Sequence, residues 1–133
     1  MLSTFLHAMR GTPFYYYGDD LEMTNPGFNT ITQYRDQLQT GGNITAYMKK
    51  LAFSARDKGR TPMQSDALEH TGFTAGVPSI AVNGKYPALH AAAEEKDSNS
   101  CLNYFRKLVK FHLEHPFLVY GNYTNVNNDN PDI

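Results

Sequence analysis

An incomplete α/β fold is predicted, and three observations predict it. Apolar residues recur at helical spacing over residues 2–9, Gly11-Thr-Pro13 breaks that pattern, and the aromatic run Phe14-Tyr-Tyr-Tyr17 follows at once. Helix, tight turn and buried strand is the order of an αβ unit. A strand without polar alternation is covered on both faces, as in a parallel sheet, yet nothing else in these 133 residues reads as a second strong parallel strand.

Each element has its own local reason. Leu2, Phe5, Leu6 and Met9 share one face of the first helix. After Gly18 the chain turns polar through Asp19, Asp20 and Glu22, passes Asn25-Pro-Gly27, and regains a short helical pattern around Ile31–Leu38. Gly41-Gly42 separates that piece from a helix over Ile44–Phe53, which Asn43 would cap and whose inner face would carry Ile44, Tyr47, Met48 and Leu51. An irregular stretch follows from Ser54 through Gly76, and Val77–Pro87 reads as ordered but non-repetitive backbone. The strongest helix runs from about Ser98 to Glu114, with Cys101, Leu102, Phe105, Leu108, Val109, His112 and Leu113 inside, Asp97 as its cap and Pro116 as its stop. Phe117–Thr124 then resembles a new strand, and the Asn-rich tail to Ile133 has little to hold it down.

Composition narrows the function classes. Lys+Arg 12 against Asp+Glu 13 leaves no basic surplus for nucleic acid or an anionic membrane. Cys101 is the single cysteine, so no intrachain disulfide forms. The first ten residues are too short and too interrupted for a signal h-region or a membrane span, which leaves the cytoplasm as the default location. His7, His70, His90, His112 and His115 lack zinc-ligand spacing, and no nucleophile elbow occurs. Neither a metal site nor a cofactor is therefore expected.

Two constellations remain. Tyr17-Gly-Asp-Asp20 has the paired aspartates of a metal-dependent nucleotidyl transferase, but such an enzyme needs further acidic ligands, a basic groove and a longer chain. Two carboxylates at a strand end is the plainer reading. Arg56, Asp57 and Arg60 lie close together in the irregular stretch, where guanidinium donors could orient a polyhydroxylated or anionic ligand, or form only a surface ion pair.

At Gly11–Asn25, Ile31–Asp36, Ala55–Gln64, Thr71–Gly76, Leu102–Leu108 and His115–Gly121 the chain resembles the oligo-1,6-glucosidase and α-glucosidase branch of the α-amylase family, glycoside hydrolase family 13. The resemblance implies the C-terminal part of a (β/α)8 TIM barrel, with Phe14–Tyr17 as the last strand, residues 18–96 as the long insertion and residues 97–115 as the last helix. Residues 1–116 would belong to the catalytic domain, and residues 117–133 would open a C-terminal β-domain. The family's nucleophile, general acid and stabilising carboxylate would all lie upstream of Met1, which would be an internal methionine of a longer ancestor.

No residue here would then be catalytic, because retaining hydrolysis needs two carboxyl groups about 5 Å apart across the scissile bond. Adjacent Asp19 and Asp20 are no substitute. The implied contribution is a wall of the sugar pocket through Arg56, Asp57 and Arg60, with an α-linked gluco-oligosaccharide as ligand of the parent enzyme. The chain alone would be inactive, and its partner would be the missing barrel portion or a second copy; the alternative is a non-catalytic remnant or accessory sugar-binding piece. Relatives typically carry Trp where Ser65 and Ser79 stand, Glu at Asp20 and Gly at Glu22. Each lost Trp, if buried, removes about 3–5 kcal/mol of packing.

Overall fold

The computed structural model describes residues 2–35 and 43–124. Five helical segments occur among them: α1 (Leu2–Ala8), α2 (Ile44–Ser54), α3 (Ala91–Glu94), α4 (Cys101–Glu114) and α5 (Phe117–Tyr120). Short 3-10 turns at Asp19–Leu21, Ile31–Gln33, Arg56–Gly59 and Glu69–Gly72 punctuate the connections. No helix among these residues is long and apolar enough to cross a membrane.

The expected strand at Phe14–Tyr17 is absent, since no strand occurs among the described residues. The physical reason is the one that made the fold look incomplete: a parallel strand exists only through hydrogen bonds to neighbours, and no other described segment supplies them. The expected strand after Pro116 is also replaced. Tyr120 N–H donates to Pro116 O at 2.9 Å and Gly121 N–H to Phe117 O at 2.8 Å, closing the turn of α5. Proline suits the first turn of a helix, having no amide hydrogen to leave unpaired, so Pro116 stops α4 and starts α5. Residues 36–42 and 125–133, which hold the end of the Ile31–Leu38 pattern and the Asn-rich tail, lie outside the described residues.

The two longer helices form where periodicity placed them. Asn43 Oδ1 accepts the amide hydrogens of Thr45 at 2.9 Å and Ala46 at 3.3 Å, so it caps α2 as expected. Leu51 is buried and Tyr47 and Met48 half-buried, whereas Ile44 is exposed. The cap of α4 is Ser100 rather than Asp97: Ser100 Oγ accepts from Asn103 N–H at 3.2 Å, while Asp97 closes the preceding turn by accepting from Asn99 N–H at 2.9 Å. Glu94 adds a second cap, accepting Leu102 N–H at 2.8 Å, a favourable use of a carboxylate at a positive helix end. Arg106 reaches back from α4 to Glu95, and that hydrogen bond holds the Glu95 carboxyl below its usual pKa.

α1 packs on α4, but not through its apolar stripe. The buried residue is His7, whose carbonyl accepts His112 Nδ1–H at 3.1 Å and whose ring lies between Tyr15 and Phe105. His112, on the inner face of its helix as expected, is bonded through one nitrogen, and its buried Nε2 has no partner among the described residues. Leu2 and Phe5 meanwhile stand 81% and 62% exposed. Of the expected apolar stripe Leu6 is half-buried, while Leu2 and Phe5 stay open.

A second core joins Tyr34, Leu51 and Ala55, with Phe28, Ile31, Tyr47 and Met48 against it. It fixes α2 and, through Ala55, the start of the loop that follows.

Candidate functional site

The loop from Arg56 to Gln64 leaves α2 at a fixed angle. Lys58 Nζ donates to the carbonyls of Ala52 at 2.6 Å and Phe53 at 3.0 Å, closing the helix end, and Arg56–Gly59 then makes one 3-10 turn. That turn swings Asp57 inward to complete burial.

A fully buried carboxylate must be satisfied. Asp57 Oδ2 accepts Arg35 N–H at 2.5 Å and Oδ1 accepts Arg60 Nη2 at 2.5 Å. Arg60 is only partly covered, its side chain 40% exposed, so the ion pair is anchored inside and presents its guanidinium outward. Arg56 is exposed. The geometry therefore brings Asp57 and Arg60 together as a unit.

A cleft of about 350 Å³ opens beside Arg60, lined among others by Tyr17, Met63, Phe73, Ser79 and Ile80. Tyr17 closes one wall by donating its hydroxyl to Thr61 O at 2.7 Å, and burial pushes the Tyr17 pKa up, so this hydroxyl stays a donor. Arg35 Nε donates to Ser79 O at 2.5 Å, so the residue whose amide holds Asp57 also holds the opposite rim. Arg35, Tyr17, Phe73 and Ser79 were missed as site residues. Arg35 and Tyr17 fall within the segments that carry the resemblance, but separations of 44 residues hid their convergence. Of the two positions where the resemblance implies tryptophan, Ser79 lines the cleft and Ser65 is exposed.

The far side of the loop is stitched and strained. Thr71, fully buried, donates its hydroxyl to Met63 O at 2.7 Å and accepts the amide hydrogens of Ser65 and Asp66 at 3.1 Å each. Its φ of 63° follows a φ of 52° at His70, a costly pair for non-glycine residues and severe for a β-branched one. Such strain persists only where surrounding contacts over-determine it. Gly72 comes next with φ 68°, and a Cβ there would meet the Asp66 carboxylate at 2.5 Å.

Among the described residues, no third His, Cys, Asp or Glu is grouped with the aspartate pair. Asp19 Oδ2 accepts Tyr16 N–H at 2.9 Å within a 3-10 turn, so the strand-turn-strand that a transferase reading requires is not formed. Glu22 sits at φ 50° and ψ 40°, a left-handed conformation costing about 1–2 kcal/mol for a residue with a Cβ. Its carboxylate lies beside Cys101. Burial first, then the hydrogen bond to Glu22, push the Cys101 thiol pKa up, which disfavours the reactive thiolate. Iodoacetamide at about pH 8 is accordingly expected to label Cys101 several-fold more slowly in the native chain than in urea; equal rates would contradict this placement.

Known proteins fit this architecture as a piece of something larger. Residues 1–121 match the family model for the alpha-amylase catalytic domain. The whole chain is 40% identical to an oligo-1,6-glucosidase of Parageobacillus thermoglucosidasius, of which it covers 25%. It is 37% identical to a trehalose-6-phosphate hydrolase of Bacillus subtilis, again covering 25% of that protein. Among solved structures, the isomaltulose synthase of a Klebsiella species superposes with a TM-score of 0.85 at 32% identity, over 97% of this chain and 25% of that one. The chain belongs to the α-amylase family of glycoside hydrolases, and it spans about a quarter of the length of the relatives it matches.

Proposed function

We propose that this chain supplies the sugar-facing rim of an α-glucosidase-type barrel and contributes binding rather than bond cleavage. The observation that carries the reading is the Asp57–Arg60 unit, held from inside by Arg35 and opening onto the cleft at Tyr17, Phe73 and Ser79. A buried carboxylate that fixes a half-exposed guanidinium pre-orients donors toward hydroxyl oxygens, which lowers the entropy lost on binding. The ligand class is an α-linked gluco-oligosaccharide, supported by the names of the related glucosidases. In this reading residues 1–116 belong to the barrel, residues 117–133 open the next domain, and Arg56 contacts sugar from the outer rim.

Hydrolysis is assigned elsewhere because, among the described residues, the carboxylate at the site is Asp57, which is fully buried and engaged by Arg35 and Arg60. Two carboxyl groups flanking a glycosidic bond are required. The purified chain is expected to release no glucose from isomaltose or maltose in a coupled glucose assay. Release abolished by Asp57→Asn would overturn the proposal.

A further inference from the structure

Asn83-Gly84 is the single Asn-Gly pair of the chain. In such a pair the glycine nitrogen, uncrowded by a side chain, attacks the asparagine Cγ whenever the asparagine side chain is free to swing onto it. Here that side chain is fastened. Asn83 is fully buried, its Nδ2 donates to Thr24 O at 2.5 Å, and its Oδ1 accepts Lys85 N–H at 3.1 Å. Gly84 is exposed, and a Cβ there would meet no described atom within 4 Å beyond its chain neighbours. The pair stands at the head of a strap that reaches the site loop. Asn83 O accepts Tyr86 N–H at 3.1 Å, Leu89 O accepts Gln64 Nε2, and the amides of Ala91 and Ala92 donate to Gln64 O at 2.9 Å and Ser65 O at 3.0 Å. One side chain thus ties the Thr24 segment to the strap that holds the end of the loop.

We propose that Asn83 is a deamidation site guarded by the fold, exposed to reaction when the strap opens, and that its conversion keeps the strap from closing again. This holds whatever ligand the cleft takes. In the opened chain the Gly84 nitrogen gives its proton to hydroxide and bonds to Asn83 Cγ, the Nδ2 amide leaves as ammonia, and a cyclic imide remains. Water then adds to one of the two imide carbonyls and the C–N bond at that carbonyl breaks, which leaves aspartate or its β-linked isomer with no change of oxidation state. Both products lack what the fold uses at this position. Aspartate has no N–H for Thr24 O, so two acceptors would face each other across 2.5 Å, with an ionised carboxylate in a fully buried place. The β-linked isomer lengthens the main chain by a carbon and breaks the turn that Tyr86 N–H closes on Asn83 O. In the closed chain burial and the two hydrogen bonds hold Cγ away from the attacking nitrogen, so reaction waits on local opening.

The test incubates the full chain at mildly alkaline pH with and without urea and follows Asn83 by mass spectrometry of its peptic peptides. Without urea, conversion is expected to be slower by about tenfold or more, the factor by which opening is rare in the folded chain. Gly84→Ala, which crowds the attacking nitrogen in a place with room for a Cβ, is expected to fold as the wild type does and to slow conversion in urea. Asn83→Asp, the product with its main chain intact, is expected to unfold at lower urea than wild type and to lose hydrogen-exchange protection at the amides of Ala91 and Ala92. Equal conversion in the two buffers overturns the guarded site. Equal urea midpoints and equal protection in Asn83→Asp and wild type overturn the block on closing.

Discussion

Asp57→Ala is expected to destabilise the chain by about 2–4 kcal/mol and to abolish any sugar-dependent rise in melting temperature. The magnitude follows from what the carboxylate serves. It is fully buried, and its oxygens accept the Arg35 backbone amide and the Arg60 guanidinium at 2.5 Å each. Removing it strands the Arg35 amide and frees Arg60 from its anchor. The loss is set below that of a wholly buried pair because the Arg60 side chain is 40% exposed and regains water. Asp57→Asn separates packing from charge: its amide matches the shape and still accepts one bond, so about half of the lost stability returns. Urea denaturation of the three chains checks the order. Equal stability of wild type and Asp57→Ala would mean that the loop is held by its Thr71 side alone.

Much of this was legible in the chain, and the failures share a cause. α2 and α4 were readable because helices answer to neighbours three and four residues away, and Asn43 caps through amides at 2.9 and 3.3 Å just beyond it. The strand at Phe14–Tyr17 was misjudged because a strand is a relation between segments. Its aromatic residues state a preference that no other part of these residues fulfils. The cap of α4 falls at Ser100 rather than Asp97, whose carboxylate closes the preceding turn on Asn99 N–H. In the site, Asp57 and Arg60 were findable from their spacing. The cleft was not, since Tyr17 and Thr61, or Arg35 and Ser79, meet across 44 residues. The inward turn of His7 in place of Leu2 was unreadable for the same reason: its partners are Tyr15 and, far along the chain, Phe105 and His112 of α4.

Tyr34→Ala is the other substitution expected to have a large effect, at about 3–5 kcal/mol. Tyr34 is 1% exposed, packs edge-on against Phe28 at 5.2 Å, and joins Leu51 and Ala55 in the core beneath the loop. Truncation would empty that core and loosen α2 together with the turn that buries Asp57. Loss of helical circular dichroism at lower urea is the readout. Tyr34 also predicts a pH dependence. Burial, then the Asp57 charge, raise its pKa above the ordinary 10.0, so the unfolded chain gives up the proton first. Stability from this group is therefore complete below about pH 10 and declines as pH rises through the higher folded value. Tyr34→Phe preserves the packing and removes the ionising group, so its alkaline decline should be shallower than that of wild type. It should not vanish, because Tyr15 and Tyr17 are raised in the same direction. An unchanged alkaline limb in Tyr34→Phe would show that Tyr34 takes no part in it.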